Sequence, residues 1–172
     1  MADRKPNLIY VFADQLRYCS MGYAGDKNAL TPNIDALCTE STDICQAVSG
    51  HPVCAPYRAS LFTGKYTTST GMVINEIRMN PEHHTFAQVL NENGYETAYI
   101  GKWHMYAAEL GNHYDPVNSF IPKGPDRLGL TIILRHIISG MNMRSGPHII
   151  IWIRRKKYIM TSTSRMLRRI WR

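Results

Sequence analysis

The sequence predicts an α/β fold in which a mostly parallel central sheet is flanked by helices. Residues 7–12 form a short apolar run rich in β-branched and aromatic side chains, as a buried strand is, and residues 95–100 are expected to form the next strand. Helical signals separate the two segments: a Thr-Pro start at Thr31, apolar residues three and four apart over 85–93, and a glycine stop at Gly94. Strands that alternate with helices are typical of parallel sheets.

The first strand is expected over residues 7–12, and polar side chains follow its carboxyl end. Open α/β sheets bind ligands at this end of their strands, and Asp14 and Gln15 lie there. A carboxylate and an amide oxygen suit a hard cation such as Ca²⁺ or Mg²⁺. Asp14 is also well placed simply to cap the following turn. A helix is then expected to begin at Thr31 as N-cap, with Pro32 at its first position.

A proline-rich turn around Cys54 is the most informative stretch of the chain. Pro56 suits the first position of a helix, which is expected over residues 57–62 and should end at Gly64. Cys54 would then lie just before a helix N-terminus, where partial positive charge favours anions, with Arg58 one turn further on. Taken alone, a cysteine in such a place is more often a small buried hydrophobe.

Two later segments contribute candidate site residues. Residues 67–71 are expected to form a polar turn, and Asn75 follows in a loop where it is either solvated or close to a substrate. After the strand over 95–100 comes Gly-Lys-Trp-His. Because side chains alternate in an extended segment, Lys102 and His104 should point the same way. An ammonium group and an imidazole side by side would offset the charge of an anionic ester and protonate its leaving oxygen.

These motifs together resemble the type I sulfatases, which are members of the alkaline-phosphatase-like superfamily. The resembling strings are C-x-P-x-R followed by A-S-L-x-T-G from Cys54, T-P-N-I-D-x-L from Thr31, and G-K-W-H ending at His104. The resemblance covers about residues 6–129 and implies a partial, truncated sulfatase sandwich. The A-D-Q string ending at Gln15 is similar to the branch of choline sulfatases and phosphonate monoester hydrolases.

The resemblance also implies roles for individual residues. Cys54 would be oxidised to formylglycine, the nucleophile, and Arg58 would orient it. Lys102 and His104 would be catalytic and, with Asn75, would bind substrate. The metal ligands would be Asp14, Gln15 and the group derived from Cys54, and the cation would be Ca²⁺, with Mg²⁺ or Mn²⁺ as alternatives. One departure is Tyr57, because the family commonly has serine there.

The implied function is that of a sulfuric ester hydrolase acting on a small-molecule or carbohydrate sulfate ester. A formylglycine-generating enzyme or an anaerobic sulfatase-maturating enzyme would be its maturation partner. One alternative is a phosphonate or phosphodiester hydrolase of the same superfamily. Another is a non-catalytic fragment whose basic tail binds nucleic acid or anionic membranes without specificity.

The charge is divided unevenly along the chain. The net charge is +7, but residues 127–172 hold eleven Lys and Arg and no acid, so residues 1–126, with nine basic and thirteen acidic groups, carry −4. We therefore divide the chain into the N-terminal part of a sulfatase-like catalytic domain, 1–129, and a basic tail, 130–172, that is expected to be out of frame or disordered. Codons for 129–138 can be chosen so that a one-base shift gives a sulfatase-like string, which favours an out-of-frame tail over a genuine basic extension.

The sequence gives no sign of a membrane or a secretory setting. It contains no apolar run long enough to span a bilayer and no signal peptide, so a cytoplasmic location is expected. The four cysteines include no C-x-x-C pair, so a disulfide framework is not expected. No specific nucleic-acid partner is expected.

Overall fold

The chain is described by a computed structural model over residues 5–106, 121–134 and 148–155. Within these ranges it has four strands, four α-helices and one short 3₁₀-helix at Pro125–Arg127. In chain order the others are β1 (Leu8–Ala13), α1 (Pro32–Thr39), α2 (Cys54–Thr63), α3 (Thr67–Thr70), α4 (Phe86–Glu92), β2 (Tyr95–Ile100), β3 (Ile132–Leu134) and β4 (His148–Arg155). In this described part, no helix has both the length and the apolar character needed to cross a membrane.

The described strands form one sheet in the order β1-β4-β2-β3. β2 and β3 are parallel, with Ala98 opposite Ile132, whereas β4 is antiparallel to both β1 and β2. The predicted α/β class is confirmed, but mostly parallel pairing is not found among these strands. The reason is that β4, an apolar run suited to a central position, lies between β1 and β2 and runs against them.

Part of the predicted basic tail therefore belongs to the sheet. Both β3 and β4 come after residue 129. Residues 135–147 and 156–172, which carry most of the charge of the tail, lie outside the described residues. The division at residue 129 and the out-of-frame origin of the tail stay predictions.

Strand β1 is found where it is predicted, but its predicted burial is wrong. Ile9 is 64% exposed and Val11 59% exposed, and only its last two residues are half-buried. A strand is buried on both faces only if a layer covers each face. Among the described elements α4 packs on β2, whereas β1 lies at the edge of the sheet.

Helix α2 begins earlier than predicted. Val53 is its N-cap, so Cys54 lies within the first turn and Pro56 is the third residue. A proline is tolerated there because the first N–H groups of a helix have no partner inside the helix. The predicted end is confirmed: Gly64 is the C-cap with φ of 67°, a left-handed conformation that glycine adopts without a steric penalty. The predicted turn over 67–71 contains the short helix α3.

The starts of α1 and α4 are found where the sequence predicts them. Pro32 is the first residue of α1, but the Thr31 hydroxyl does not cap the helix. It donates to Asp35 at 2.8 Å and accepts from the backbone N–H of Gly22, so it ties the preceding loop to the helix. At α4, Thr85 and Gln88 form a capping box.

A cluster of aromatic rings fixes α2 against the end of β2. The Phe62 ring of α2 meets the Trp103 ring edge-on, with centroids 5.3 Å apart. Trp103 meets Tyr99 of β2 in the same way at 5.1 Å, and all three side chains are fully buried. Edge-to-face packing of this kind is favourable beyond the area that it buries. It holds the last turn of α2 next to the segment that follows β2.

Candidate active site

Asp14, Arg58 and Lys102 form a buried ion cluster where β1, α2 and β2 meet. Arg58 Nη2 lies 3.1 Å from Asp14 Oδ1, and Lys102 Nζ lies 2.8 Å from Asp14 Oδ2. The side chains of Arg58 and Lys102 are 1% and 3% exposed, and that of Asp14 is 9% exposed. Two positive charges face one negative charge, so the cluster carries a net positive charge that attracts anions.

The two cations keep the Asp14 carboxylate ionised. Burial by itself would raise the pKa of Asp14, because a low dielectric disfavours the charged form. The hydrogen bond from Lys102 and the charges of Arg58 and Lys102 outweigh burial, so the pKa lies below its ordinary value of 3.8. Asp14 is therefore negative throughout the neutral range.

All three nitrogens of the Arg58 guanidinium donate hydrogen bonds, and Nη2 donates to Asp14. Nη1 donates to the Cys54 carbonyl at 2.8 Å, one turn back on α2, and Nε donates to the Lys102 carbonyl at 3.1 Å. The hydroxyl of Tyr99 donates to the same Lys102 carbonyl. The guanidinium also lies over the Phe12 ring, 5.5 Å from its centroid, in a cation–π contact. Arg58 is thus fixed in one orientation beside Cys54.

Cys54 is a half-buried free cysteine at the first position of α2. The next N–H, from Ala55, donates to the Asn75 Oδ1 at 3.0 Å, and Pro56 has no N–H. The Asn75 side chain therefore caps the start of α2. The helix start offers few backbone donors to a ligand, so positive charge near Cys54 comes mainly from Arg58 and Lys102.

Two candidate site residues have left-handed backbones. Gln15, directly after Asp14, has φ of 60°, and His104 has φ of 55°. Non-glycine residues adopt this conformation rarely, and it is often found at functional sites. The turn at His104 also breaks the extended geometry from which its alignment with Lys102 was predicted. That premise is wrong, although the side chains of Lys102 and His104 are both buried.

A cleft of about 420 Å³ opens beside the ion cluster. Charged, polar, apolar and aromatic side chains line it: Phe12, Ala13, Asp14, Gln15, Leu16, Arg17, Ser49, Pro52, Val53, Cys54, Tyr57 and Arg58. Lys102 and His104 are not among the described residues that line the cleft. Lys102 therefore acts on the cleft through its contact with Asp14.

Comparison with known proteins shows the family of the chain. The sulfatase family model matches residues 6–131, which is most of the chain. This chain belongs to the sulfatase family. No solved structure gives a significant match to it.

Several similar proteins are sulfatases whose names give different substrates. This sulfatase-family chain is 48% identical over 101 residues to an ulvan-active sulfatase of Formosa agariphila, covering 59% of the chain and 20% of the relative. It is 35% identical over 128 residues to human arylsulfatase D, a match that covers 66% of the chain and 22% of that relative. An N-acetylglucosamine-6-O-sulfatase of Bacteroides thetaiotaomicron is 32% identical over 129 residues, which cover 66% of the chain and 23% of that relative. The chain thus spans about a fifth of the length of these relatives.

Sulfatases generally use a divalent cation, and the donors present here are an incomplete set for one. Asp14 is the one carboxylate in the lining of the cleft, and Arg58 and Lys102 already occupy both of its oxygens. Within the described ranges, no three His, Cys, Asp or Glu residues lie close enough together to hold a metal ion. A divalent cation would face two buried positive charges with one shared carboxylate, so the described residues alone do not fit it. Its predicted ligation by Asp14, Gln15 and Cys54 stays a prediction.

The structure brings together most, but not all, of the predicted site residues. Asp14, Cys54, Arg58 and Lys102 are in direct contact, and Asn75 reaches the start of the same helix. The catalytic and binding roles given to them, and to His104, stay predictions. Sequence reasoning missed Phe12, which lies against Arg58 and lines the cleft. The period of two in a strand was a usable signal, since it places Phe12 and Asp14 on one side.

Proposed function

We propose that this chain supplies the anion-binding part of a sulfuric ester hydrolase site. The observation that supports it best is that Cys54 and Arg58 line one cleft, with Lys102 joined to that cleft through Asp14. A sulfate monoester carries one negative charge, which complements the single excess positive charge of the cluster. The whole enzyme's activity and substrate are part of this proposal, since the chain spans a fifth of its relatives.

The proposed nucleophile is residue 54. Cys54 lines the cleft as a half-buried thiol, so it is open to modification and to an ester in the cleft. Oxidation to formylglycine by the maturation enzyme would supply a hydrated aldehyde, one hydroxyl of which attacks sulfur while the S–O bond to the alcohol breaks. The second hydroxyl would then lose its proton, so that the aldehyde reforms and sulfate leaves. The Arg58 guanidinium, which holds the Cys54 carbonyl, would fix that group's position.

The proposed roles of the cations follow from their fixed positions. Arg58 and Lys102 are buried and held by Asp14, so they need little rearrangement to stabilise charge that develops on sulfate oxygens. The leaving alcohol would be protonated by His104 or by another donor. His104 is buried and does not line the cleft, so it would have to move into the cleft to act as this acid. Arg58 has a second function, because its bonds to two backbone carbonyls also join α2 to the segment after β2.

The test compares the chain with two cysteine variants. We would purify it from a host that has a formylglycine-generating enzyme and measure hydrolysis of an aryl sulfate and of a phosphonate monoester. Cys54→Ala should abolish sulfate hydrolysis. Cys38→Ala, which changes another half-buried free cysteine outside the cleft, should leave it intact. Equal hydrolysis by the Cys54→Ala chain, or faster hydrolysis of the phosphonate, would overturn the proposal.

A further inference from the structure

We propose that Tyr57 selects the esters that this site accepts by stacking on a ring carried by the leaving group. This inference rests on the proposed function and adds a specificity-determining residue to it. Tyr57 departs from the resembling motif, and it lines the cleft beside Cys54 and Arg58. The expected preference is for a sulfate ester of a flat ring over one of a small alkyl group.

The lining of the cleft contains two kinds of side chain. Asp14, Arg17 and Arg58 are charged, and the apolar and aromatic side chains are those of Phe12, Leu16, Pro52, Val53 and Tyr57. An ester with an anionic head and an apolar leaving group matches that division. The volume, about 420 Å³, is within the range of pockets that enclose small organic ligands, so it holds more than a sulfate ion.

Tyr57 is placed to contact the part of an ester next to its sulfate. It follows Cys54 by three residues on α2, and residues three apart lie on the same face of a helix. The ring of Tyr57 packs against that of Phe12, with centroids 5.9 Å apart and planes 59° apart. Burial, and after it the neighbouring Tyr57 side chain, raises the pKa of Tyr10 to about 12, so the two tyrosines lie close together. The ring is therefore held before any ligand arrives.

The charges in the cleft favour a neutral ring over a cationic leaving group such as a quaternary ammonium. Arg17 and Arg58 both line the cleft. The acid among the lining residues, Asp14, is already bound to Arg58 and Lys102. A third positive charge would meet repulsion with no carboxylate left to offset it. The apolar face of an aryl or sugar ring meets no such penalty and gains the packing of Tyr57.

Calorimetric titration of the full chain tests this inference directly. The ligands are phenyl sulfate, methyl sulfate and inorganic sulfate, and all chains carry Cys54→Ala so that no ester is turned over. With Tyr57 intact, phenyl sulfate should bind about tenfold more tightly than methyl sulfate, as expected for one aromatic stacking contact. Tyr57→Ser should remove most of this difference, and Tyr57→Phe should keep it. Tyr66→Ser, which changes a tyrosine that is 78% exposed and outside the cleft, should change nothing.

The affinity for inorganic sulfate separates a ring contact from a general effect. It should be the same with and without Tyr57, because a sulfate ion has no ring. The inference is overturned if the Tyr57→Ser chain still prefers phenyl sulfate to methyl sulfate. It is also overturned if Tyr57→Ser lowers the affinity for inorganic sulfate as much as the affinity for phenyl sulfate. If phenyl sulfate is preferred but the chain with Cys54 intact hydrolyses no ester, only the proposed function is overturned. If phenyl sulfate does not bind at all, both are overturned.

Discussion

Lys102 Nζ lies 2.8 Å from Asp14 Oδ2, although 88 residues separate the two along the chain. The contact joins the segment after β2 to the segment after β1. Arg58 of α2 binds the other oxygen of the same carboxylate. One buried carboxylate therefore holds together three elements, and the predictions below test what this arrangement contributes to stability and to the site.

Loss of the Lys102 charge should destabilise the fold. Lys102→Met keeps a long apolar stem but removes one of the two cations that face buried Asp14. Arg58 still balances the charge of Asp14, but Asp14 Oδ2 loses its hydrogen-bond partner in a buried place, so we expect the free energy of unfolding to fall by about 2–3 kcal/mol in urea titrations. Arg78→Met breaks the pair with Asp126, in which Arg78 is 44% exposed, and should cost less than about 1 kcal/mol. Equal effects of the two variants would contradict the prediction.

Acid should weaken the fold through Asp14. The pKa of Asp14 in the folded chain is lowered, because the hydrogen bond and charges of Lys102 and Arg58 outweigh the opposing effect of burial. A group of this kind contributes stability above its unfolded pKa, and that contribution is lost as the pH falls through the folded pKa. Between about pH 5 and about pH 3, the unfolding free energy of the wild type should therefore fall more steeply than that of Asp14→Asn. Parallel curves would show that Asp14 contributes nothing.

The end of helix α2 should depend on the conformation of Gly64. Gly64 has φ of 67°, and its Cβ would meet no atom within 4 Å, so any penalty of Gly64→Ala comes from the backbone alone. We expect a loss of about 1 kcal/mol in thermal or urea unfolding. Gly50→Ala is the matched control: a Cβ there makes ordinary contacts with Tyr66 and no left-handed φ is involved. It should be close to neutral, and a loss as large as that at Gly64 would refute the account.

Asn75 should act on the position of Cys54 through the helix start. Its Oδ1 accepts the N–H of Ala55, so Asn75→Ala should destabilise the chain by about 1 kcal/mol, as loss of an N-cap does. Asn75→Asp keeps an acceptor oxygen and should retain most of the stability. A substrate-binding role predicts instead that Asn75→Ala weakens ester binding without any change in the urea midpoint.

The tail after residue 129 can be tested at the level of the gene. The composition changes there from net acidic to strongly basic, which predicts a shift of reading frame. Resequencing across the codons for residues 128–131 should then reveal an alternative frame that encodes an acidic continuation. A confirmed original frame, together with a tail that binds DNA in a salt-sensitive way, would favour a genuine basic extension.

Local signals in the sequence predicted the helix boundaries better than the sheet. The capping box at Thr85, Pro32 at the start of α1 and Gly64 at the end of α2 all act within one turn, so they can be read from neighbouring residues. The burial and pairing of β1 depend on which strand lies beside it. That partner is β4, about 140 residues away, and no local pattern indicates it.

For the candidate site, the motifs indicated which residues matter but not how they meet. Asp14, Cys54, Arg58 and Lys102 were predicted from their places at strand and helix ends and from resemblance. Their joint burial around one carboxylate was not predicted, and neither was the capping of α2 by Asn75. His104 illustrates the limit, since an alternation rule for extended chains fails at a residue with φ of 55°.

The sequence alone determined the family motifs, the α/β class and most of the starts and stops of the helices, because these depend on side-chain chemistry and on backbone preferences within a few residues. Tertiary structure alone decided that Lys102 and Arg58 share Asp14, and that Tyr57 and Phe12 wall the same cleft. Such contacts depend on how distant segments pack, and packing is set by the whole core rather than by any one stretch of chain.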